Sequence, residues 1–236
     1  MSERSSGSRG GEGGSSIAKA IYQGLCQEIT TGVLKPGELL SRRRIAERYG
    51  CSYTPVIEAL VRLEHSGLIE AESSQMARVR KETVETIQSN YILREAYETQ
   101  AIRLACESAT KQEIDDLYRL AERVDAQMPG ENQQVVEPGS EGLSLHWRFH
   151  KRIAEISRVP ALLRELERIE LLVMLQAIWH YFPEFSDPYN WHSLLVDTIR
   201  DRDPEAADEA MRLHVRMGLQ KVLKGYRVKS ITPGDR

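Results

Sequence analysis

Four of the chain's six histidines fall at positions that could gather one ion. His146 and His150 are four residues apart, so on a helix both rings point the same way and can chelate one metal. Leu143, His146, His150 and Ile153 form one stripe at helical spacing. His192 shares a stripe with Leu195 and Ile199, and His214 shares one with Ala207, Met211 and Gly218. All four histidines therefore lie on faces predicted to turn inward. A single imidazole on such a face is usually a core residue with one hydrogen-bond partner. Four on three inward stripes would bury several polar rings with little else polar to pair them, and a shared cation removes that cost. Imidazole ligation suits zinc, nickel, copper or iron. Four nitrogens would close a tetrahedral zinc site, whereas a five- or six-coordinate ion keeps room for a carboxylate.

Three uses of such a site stay open at this point. One is sensing, with a ligand joining the metal. A second is purely structural, with the effector elsewhere. The third is a metal-dependent enzyme, because His146-Trp147-Arg148-Phe149-His150 spaces two ligands as zinc proteases do. Trp147, however, stands where the catalytic glutamate would be. No nucleophile–base set or glycine-rich phosphate loop is legible, which favours sensing over turnover, hence not an enzyme.

These histidines must be positioned by helices. From residue 82 onward the pattern reads as helix throughout, with segments near 82–108, 111–127, 142–157, 160–181, 189–201 and 204–225. Pro129–Gly142 and Pro183–Pro188 read as loops, and Pro160 and Pro204 suit first helical positions. Six helices with short joints predict an antiparallel bundle over 81–227, followed by a flexible C-terminus at 228–236.

The front of the chain is different. Residues 1–16 are mostly Ser and Gly and predict a disordered tail. Ile17, Ile21, Leu25 and Ile29 then mark an amphipathic helix that Gly32 ends. Ser41 caps a short helix through Tyr49, with Ile45, Ala46 and Tyr49 inward. Gly50 supplies a left-handed stop. Thr54 caps the next helix and Pro55 takes its first position; the helix runs to about His65 and buries Val56, Leu60 and Leu63. Two short strands, Leu68–Glu72 and Met76–Arg80, flank a Ser73-Ser74-Gln75 turn. Helix, short helix, tight turn, helix and hairpin is the order of a winged helix-turn-helix, over 17–80. The fold class is therefore mainly α, an N-terminal winged helix-turn-helix and a C-terminal six-helix bundle. The second helix of the motif would enter a major groove.

Composition agrees with that division. The chain has 236 residues, 41% hydrophobic and 28% charged, with a net charge of −3. Residues 17–80 carry nine Lys/Arg against seven Asp/Glu, while 81–236 carry 21 against 26, so the front is mildly basic and the back acidic. The greasiest run, Leu171–Trp179, is far short of the ~20 apolar residues a bilayer needs, and no secretory leader is legible. Cys26, Cys51 and Cys106 are odd in number and widely spaced, and read as thiols of a reducing, cytoplasmic compartment.

Two stretches resemble a known family. Ile-Thr-Thr-Gly-Val-Leu-Lys-Pro-Gly-Glu-Leu-Leu at 29–40, Arg44-Ile45-Ala46-Glu47, Thr54-Pro55-Val56, Glu58-Ala59-Leu60 and Arg62-Leu63-Glu64 resemble the GntR DNA-binding domain. Arg94 with Glu98, Phe149-His150, His192, Asp203, Ala207 and His214 resemble the FCD effector domain of the FadR-like branch, in its smaller six-helix, VanR-like version. The resemblance implies a homodimeric, ligand-responsive regulator, commonly a repressor. It would bind a palindromic operator in double-stranded DNA and would not associate with membrane. It implies DNA contact by Arg42, Arg43, Arg44, Ser52, Tyr53, Thr54 and the wing residue Ser74. It also implies a divalent metal, zinc or nickel, on His150, His192 and His214, with a small carboxylate effector clamped by Arg94. Arg94 has an alternative role, a salt bridge with Glu98 on the next turn. Two departures stand out. Tyr53 and Ile57 occupy positions where many relatives carry arginine. His146 stands where the family usually has the aspartate ligand, which removes a negative charge and favours an anionic effector.

Overall fold

The computed structural model describes residues 11–127, 141–179 and 190–231. They form two compact units that divide between Lys81 and Glu82, one residue beyond the expected boundary.

The first unit opens with α1 (Gly11–Thr30), followed by β1 (Leu39–Ser41), α2 (Arg42–Tyr49), α3 (Tyr53–His65), β2 (Ile69–Ala71) and β3 (Met76–Val79). Its core holds Ile21, Leu25 and Ile29 of the expected stripe with Val56, Leu60, Leu63, Leu68 and Ile69, whereas Ile17, the first member of that stripe, is exposed. Ile45 and Ala46 are buried as expected, and Tyr49 is half-buried. Ser41 caps α2, its hydroxyl accepting from the Arg44 amide. Gly50 then takes φ 61°, a left-handed turn that other residues adopt only at a cost, and its amide satisfies carbonyls at the end of α2. α3 starts two residues earlier than expected. Ser52, not Thr54, is its cap residue and makes no side-chain cap hydrogen bond. Pro55 is the third helical residue, where its missing N–H still removes only a donor that the first turn leaves without an intrahelical partner.

The sheet order is β1-β3-β2, both pairings antiparallel. The sequence pattern showed β2 and β3 but not β1, whose three residues are too few for an alternation. Long-range pairing decides it, with Leu40 opposite Ala77 and Ile69 opposite Val79. All four face the core. α1 begins at Gly11, not at residue 17, so Gly11–Ser16 are helical and not a disordered tail. Once the apolar stripe holds a helix in place, each added turn no longer carries the cost of nucleation.

The second unit contains α4 (Val84–Ser108), α5 (Lys111–Gln127), α6 (Glu141–Ile156), α7 (Pro160–Trp179), α8 (Trp191–Arg200) and α9 (Pro204–Ile231). These are the six expected helices. α4 packs most extensively along α9, and α5 packs against both α6 and α8. The core joins Ile102, Leu117, Trp147, Phe149, Leu195, Ile199 and Met211. Thr83 and Thr86 exchange backbone and side-chain hydrogen bonds to start α4. Asp203 accepts from the amides of Glu205 and Ala206 to start α9. α9 continues to Ile231, so residues 228–231 are helix rather than a flexible end. The expected loop at 183–188 lies outside the described residues, as does that at 129–142 apart from Glu141 and Gly142, which belong to α6. None of the three cysteines is in a disulfide. Among the described residues, no helix is long and apolar enough to cross a membrane.

Candidate metal centre and nucleic-acid interface

Three helices deliver the four histidines to one point. His146 and His150 come from α6, His192 from the first turn of α8, and His214 from the middle of α9. One nitrogen of each lies within 4.8 Å of those of the other three. Nε2 of His150 is 3.1 Å from Nε2 of His146 and 3.2 Å from Nε2 of His214. An ion about 2.0–2.1 Å from each nitrogen sets neighbouring ligands roughly 3.0–3.4 Å apart, for octahedral or tetrahedral arrangements.

Carboxylates behind the rings decide which nitrogen faces inward. Asp125 of α5 takes Nδ1 of His192 at 2.6 Å and also accepts from the His192 amide at 3.0 Å. Its other oxygen accepts from the Ser193 amide at 3.1 Å and hydroxyl at 2.8 Å. One carboxylate thus caps α8 and fixes the His192 tautomer. It leaves Nε2 of His192 buried with no hydrogen-bond partner, a cost the fold carries unless something binds there. Behind His150, Nδ1 sits 2.7 Å from Glu98 Oε2, close but not aligned as a straight hydrogen bond. The other Glu98 oxygen accepts from Arg94 Nε at 2.5 Å. Burial alone would push the Glu98 carboxyl up, but Arg94 and then His150 outweigh it and hold it at about 2.

Three of the rings are pushed toward the neutral form that ligation requires. Burial, reinforced by the neighbouring imidazoles, pushes His146 and His214 well below the ordinary histidine range. Burial also lowers His150, though Glu98 opposes it. His150 and His192 are buried, while His146 and His214 keep some accessible surface, which leaves that side open for further ligands. The donor set, the orphaned nitrogen and the two separations at His150 fit a divalent ion.

Arg94 is buried with Glu98. The salt bridge named as its alternative role is present. Its Nη2 nevertheless lies 3.3 Å from His150 Nε2, so the far edge of the guanidinium faces the cluster. The guanidinium carbon sits 4.8 Å from the Trp147 ring centre and 5.4 Å from that of Tyr91. Gly218 of α9 makes room, since a Cβ there would come within 3.3 Å of the Tyr91 ring.

The front unit shows the opposite arrangement. Arg43 and Arg44 are exposed at the start of α2, with Arg43 3.5 Å from Glu47. Arg42 is half-buried and its Nε has no hydrogen-bond partner. Ser52, Tyr53 and Thr54 are all exposed at the start of α3, and Ser74 is exposed in the turn between β2 and β3.

A family model described as bacterial regulatory proteins, gntR family, matches residues 17–79. A second, the FCD domain, matches residues 90–217, more than half of the chain. The chain belongs to the GntR family, with an FCD C-terminal domain. The HTH-type transcriptional regulator McbR of Escherichia coli is 28% identical over 198 residues, covering 80% of this chain and 85% of McbR. The HTH-type transcriptional repressor NanR of Klebsiella aerogenes is 27% identical over 226 residues, covering 85% and 83%. Two solved structures share the fold. E. coli McbR/YncC has a TM-score of 0.70 at 22% identity, covering 89% of this chain and 98% of that one. A GntR regulator from Rhodococcus sp. RHA1 has a TM-score of 0.69 at 20% identity, covering 89% and 99%. These GntR relatives are transcriptional regulators and not enzymes, and the family binds DNA.

Sequence reasoning named the four histidines, Arg94 and Glu98, but it did not name Asp125 or place Glu98 behind His150. Asp125 had a weak signal. It follows Ala121 by one turn, at the edge of the apolar face of α5, where an acid needs a buried partner.

Proposed function

We propose that this GntR-family chain is a cytoplasmic, homodimeric repressor that a small organic acid releases from a palindromic operator. The acid would bind at a divalent metal held by His146, His150, His192 and His214. The observation that carries this reading is the convergence of four imidazoles around the unpartnered Nε2 of His192. A bound zinc or nickel ion supplies a Lewis-acidic attachment point for a carboxylate. Asp125 and Glu98 orient His192 and His150, and Arg94 offers its outer guanidinium edge to the effector's second oxygen. His146 in place of a carboxylate leaves the ion's charge uncompensated, which favours an anion.

In the first unit, Arg42, Arg43 and Arg44 serve phosphates, and Ser52, Tyr53, Thr54 and Ser74 meet DNA from the recognition helix and the wing. Two recognition helices must reach half-sites about 34 Å apart. The effector lowers DNA affinity because it favours a spacing that misses them. The repressor sense is supported by NanR, a relative named as a repressor.

Elemental mass spectrometry on protein purified without chelator tests the reading. About one ion per chain is expected, with near-complete loss in the double variant His150→Ala, His214→Ala. Titration of metal-loaded and metal-free protein with carboxylic acids should then show binding to the loaded form alone. Wild-type protein that takes up no ion, even after reloading with zinc and nickel, overturns it.

A further inference from the structure

We propose that the recognition helix reads the C5-methyl groups of thymines through Tyr53 and Ile57, so that each operator half-site is recognised at A·T pairs rather than at guanines. This inference rests on the DNA-binding reading above. Tyr53, Ile57 and Val61 stand four apart on α3, and they are 49%, 38% and 55% exposed. They form an apolar stripe on the face that the core does not use, opposite Val56, Ala59, Leu60 and Leu63.

Docking of a helix-turn-helix brings the N-terminal part of this helix to base edges. Tyr53 and Ile57 lie in its first two turns, about 6 Å apart along the axis. That separation is roughly two base-pair steps of 3.4 Å. Guanine is normally read by a bidentate Arg or Lys on O6 and N7. The face offers none there. The first cation on α3 is Arg62, in its last turn, and its guanidinium lies 4.5 Å from the Tyr22 ring centre.

Ile57 has no polar atom at all. The one major-groove feature that rewards an apolar side chain is the thymine methyl. Glu58 is the exposed hydrogen-bonding group next to it. It only accepts, so it is repelled by the two acceptors of guanine and can take the amino group of an adenine beside a contacted thymine. The charge that DNA requires comes from elsewhere. Arg43 and Arg44 are exposed on α2, where the first helix of the motif crosses the backbone. The wing adds little charge, because Arg78 pairs with Glu72 at 2.8 Å and Arg80 with Glu70 at 3.0 Å.

The test uses the full chain. Binding sites are first selected from random duplex DNA. Each thymine of the selected half-site is then replaced by deoxyuridine, which removes only the methyl, and each guanine by 7-deazaguanine, which removes the N7 acceptor. Deoxyuridine at one or two positions per half-site should weaken binding about fourfold each, the worth of one buried methyl at about 0.8 kcal/mol. Ile57→Ala, at an exposed position, should abolish the sensitivity at one of them. Indifference to deoxyuridine together with a large 7-deazaguanine effect overturns the inference and leaves the DNA-binding reading intact. Failure to enrich any sequence overturns both.

Discussion

Arg43 of the first unit keeps 74% of its side chain in contact with solvent, whereas Arg94 of the second keeps 3%. The same contrast runs through both units. In the first unit, Arg43, Arg44, Tyr53 and Ile57 are exposed, and Arg43 makes a single surface ion pair with Glu47. In the bundle, Arg94, Glu98, His150 and His192 are buried, and each is held by a second residue that is itself fixed. An exposed arginine can follow a phosphate at little reorganisation cost, and its pairing with Glu47 is worth little in water. A metal centre needs ligands held in place before the ion arrives, because misplaced rings weaken every bond at once. The proposed DNA contacts would therefore act by surface complementarity and the proposed metal centre by preorganisation.

The sharpest way to break this comparison is to loosen the second unit without touching a ligand. Asp125→Ala should cost about 10- to 100-fold in metal affinity. It should also lower thermal stability, because the α8 amides lose their acceptor at a cost of roughly 1 kcal/mol. Competition with a chromophoric chelator reads the first effect and thermal melting the second. Unchanged metal affinity would mean that the bundle holds His192 without Asp125.

A smaller effect is expected in the first unit. Arg43→Ala should weaken DNA binding by several-fold for all sequences alike and lower the salt slope by about one phosphate contact. Metal content should not change. Anisotropy titrations from 50 to 200 mM salt check this, and a loss confined to one operator sequence would make Arg43 a base reader.

The smallest concerns pH. A hydrogen bond from the Thr110 amide and then the Arg158 ion pair, against the effect of burial, hold the Glu113 carboxyl at about 2. Its folded value is depressed, so its contribution is present above the ordinary carboxylate value of 4.5 and is lost as pH falls from there toward 2. The contribution is about 1 kcal/mol, because Arg158 is half-exposed and solvent screens the pair. Glu113→Gln should therefore lower stability at pH 7 and flatten its decline between pH 4.5 and 2. Parallel melting curves for the two proteins across that range would remove Glu113 from the acid response.

Periodicity and local turn chemistry were enough to outline most of this protein. Ile21, Leu25 and Ile29, the Gly50 stop and the short helix α2 before it are decided by neighbours within a few residues, and they emerged where the pattern placed them. The histidines were legible for the same reason, since each shares a helical stripe with core residues. The sequence pattern did not show β1, which exists only because Leu40 pairs with Ala77, distant in sequence. Nor did it show that residues 11–16 join α1. Which residue stands behind each imidazole also depended on packing. Asp125 and His192 are 67 residues apart, and Glu98 and His150 are 52 apart. Spacing along a helix fixes which face a ring occupies, because the backbone period is set locally. Only the packing of α5 against α8 and of α4 against α6 decides which nitrogen of that ring is left facing the others.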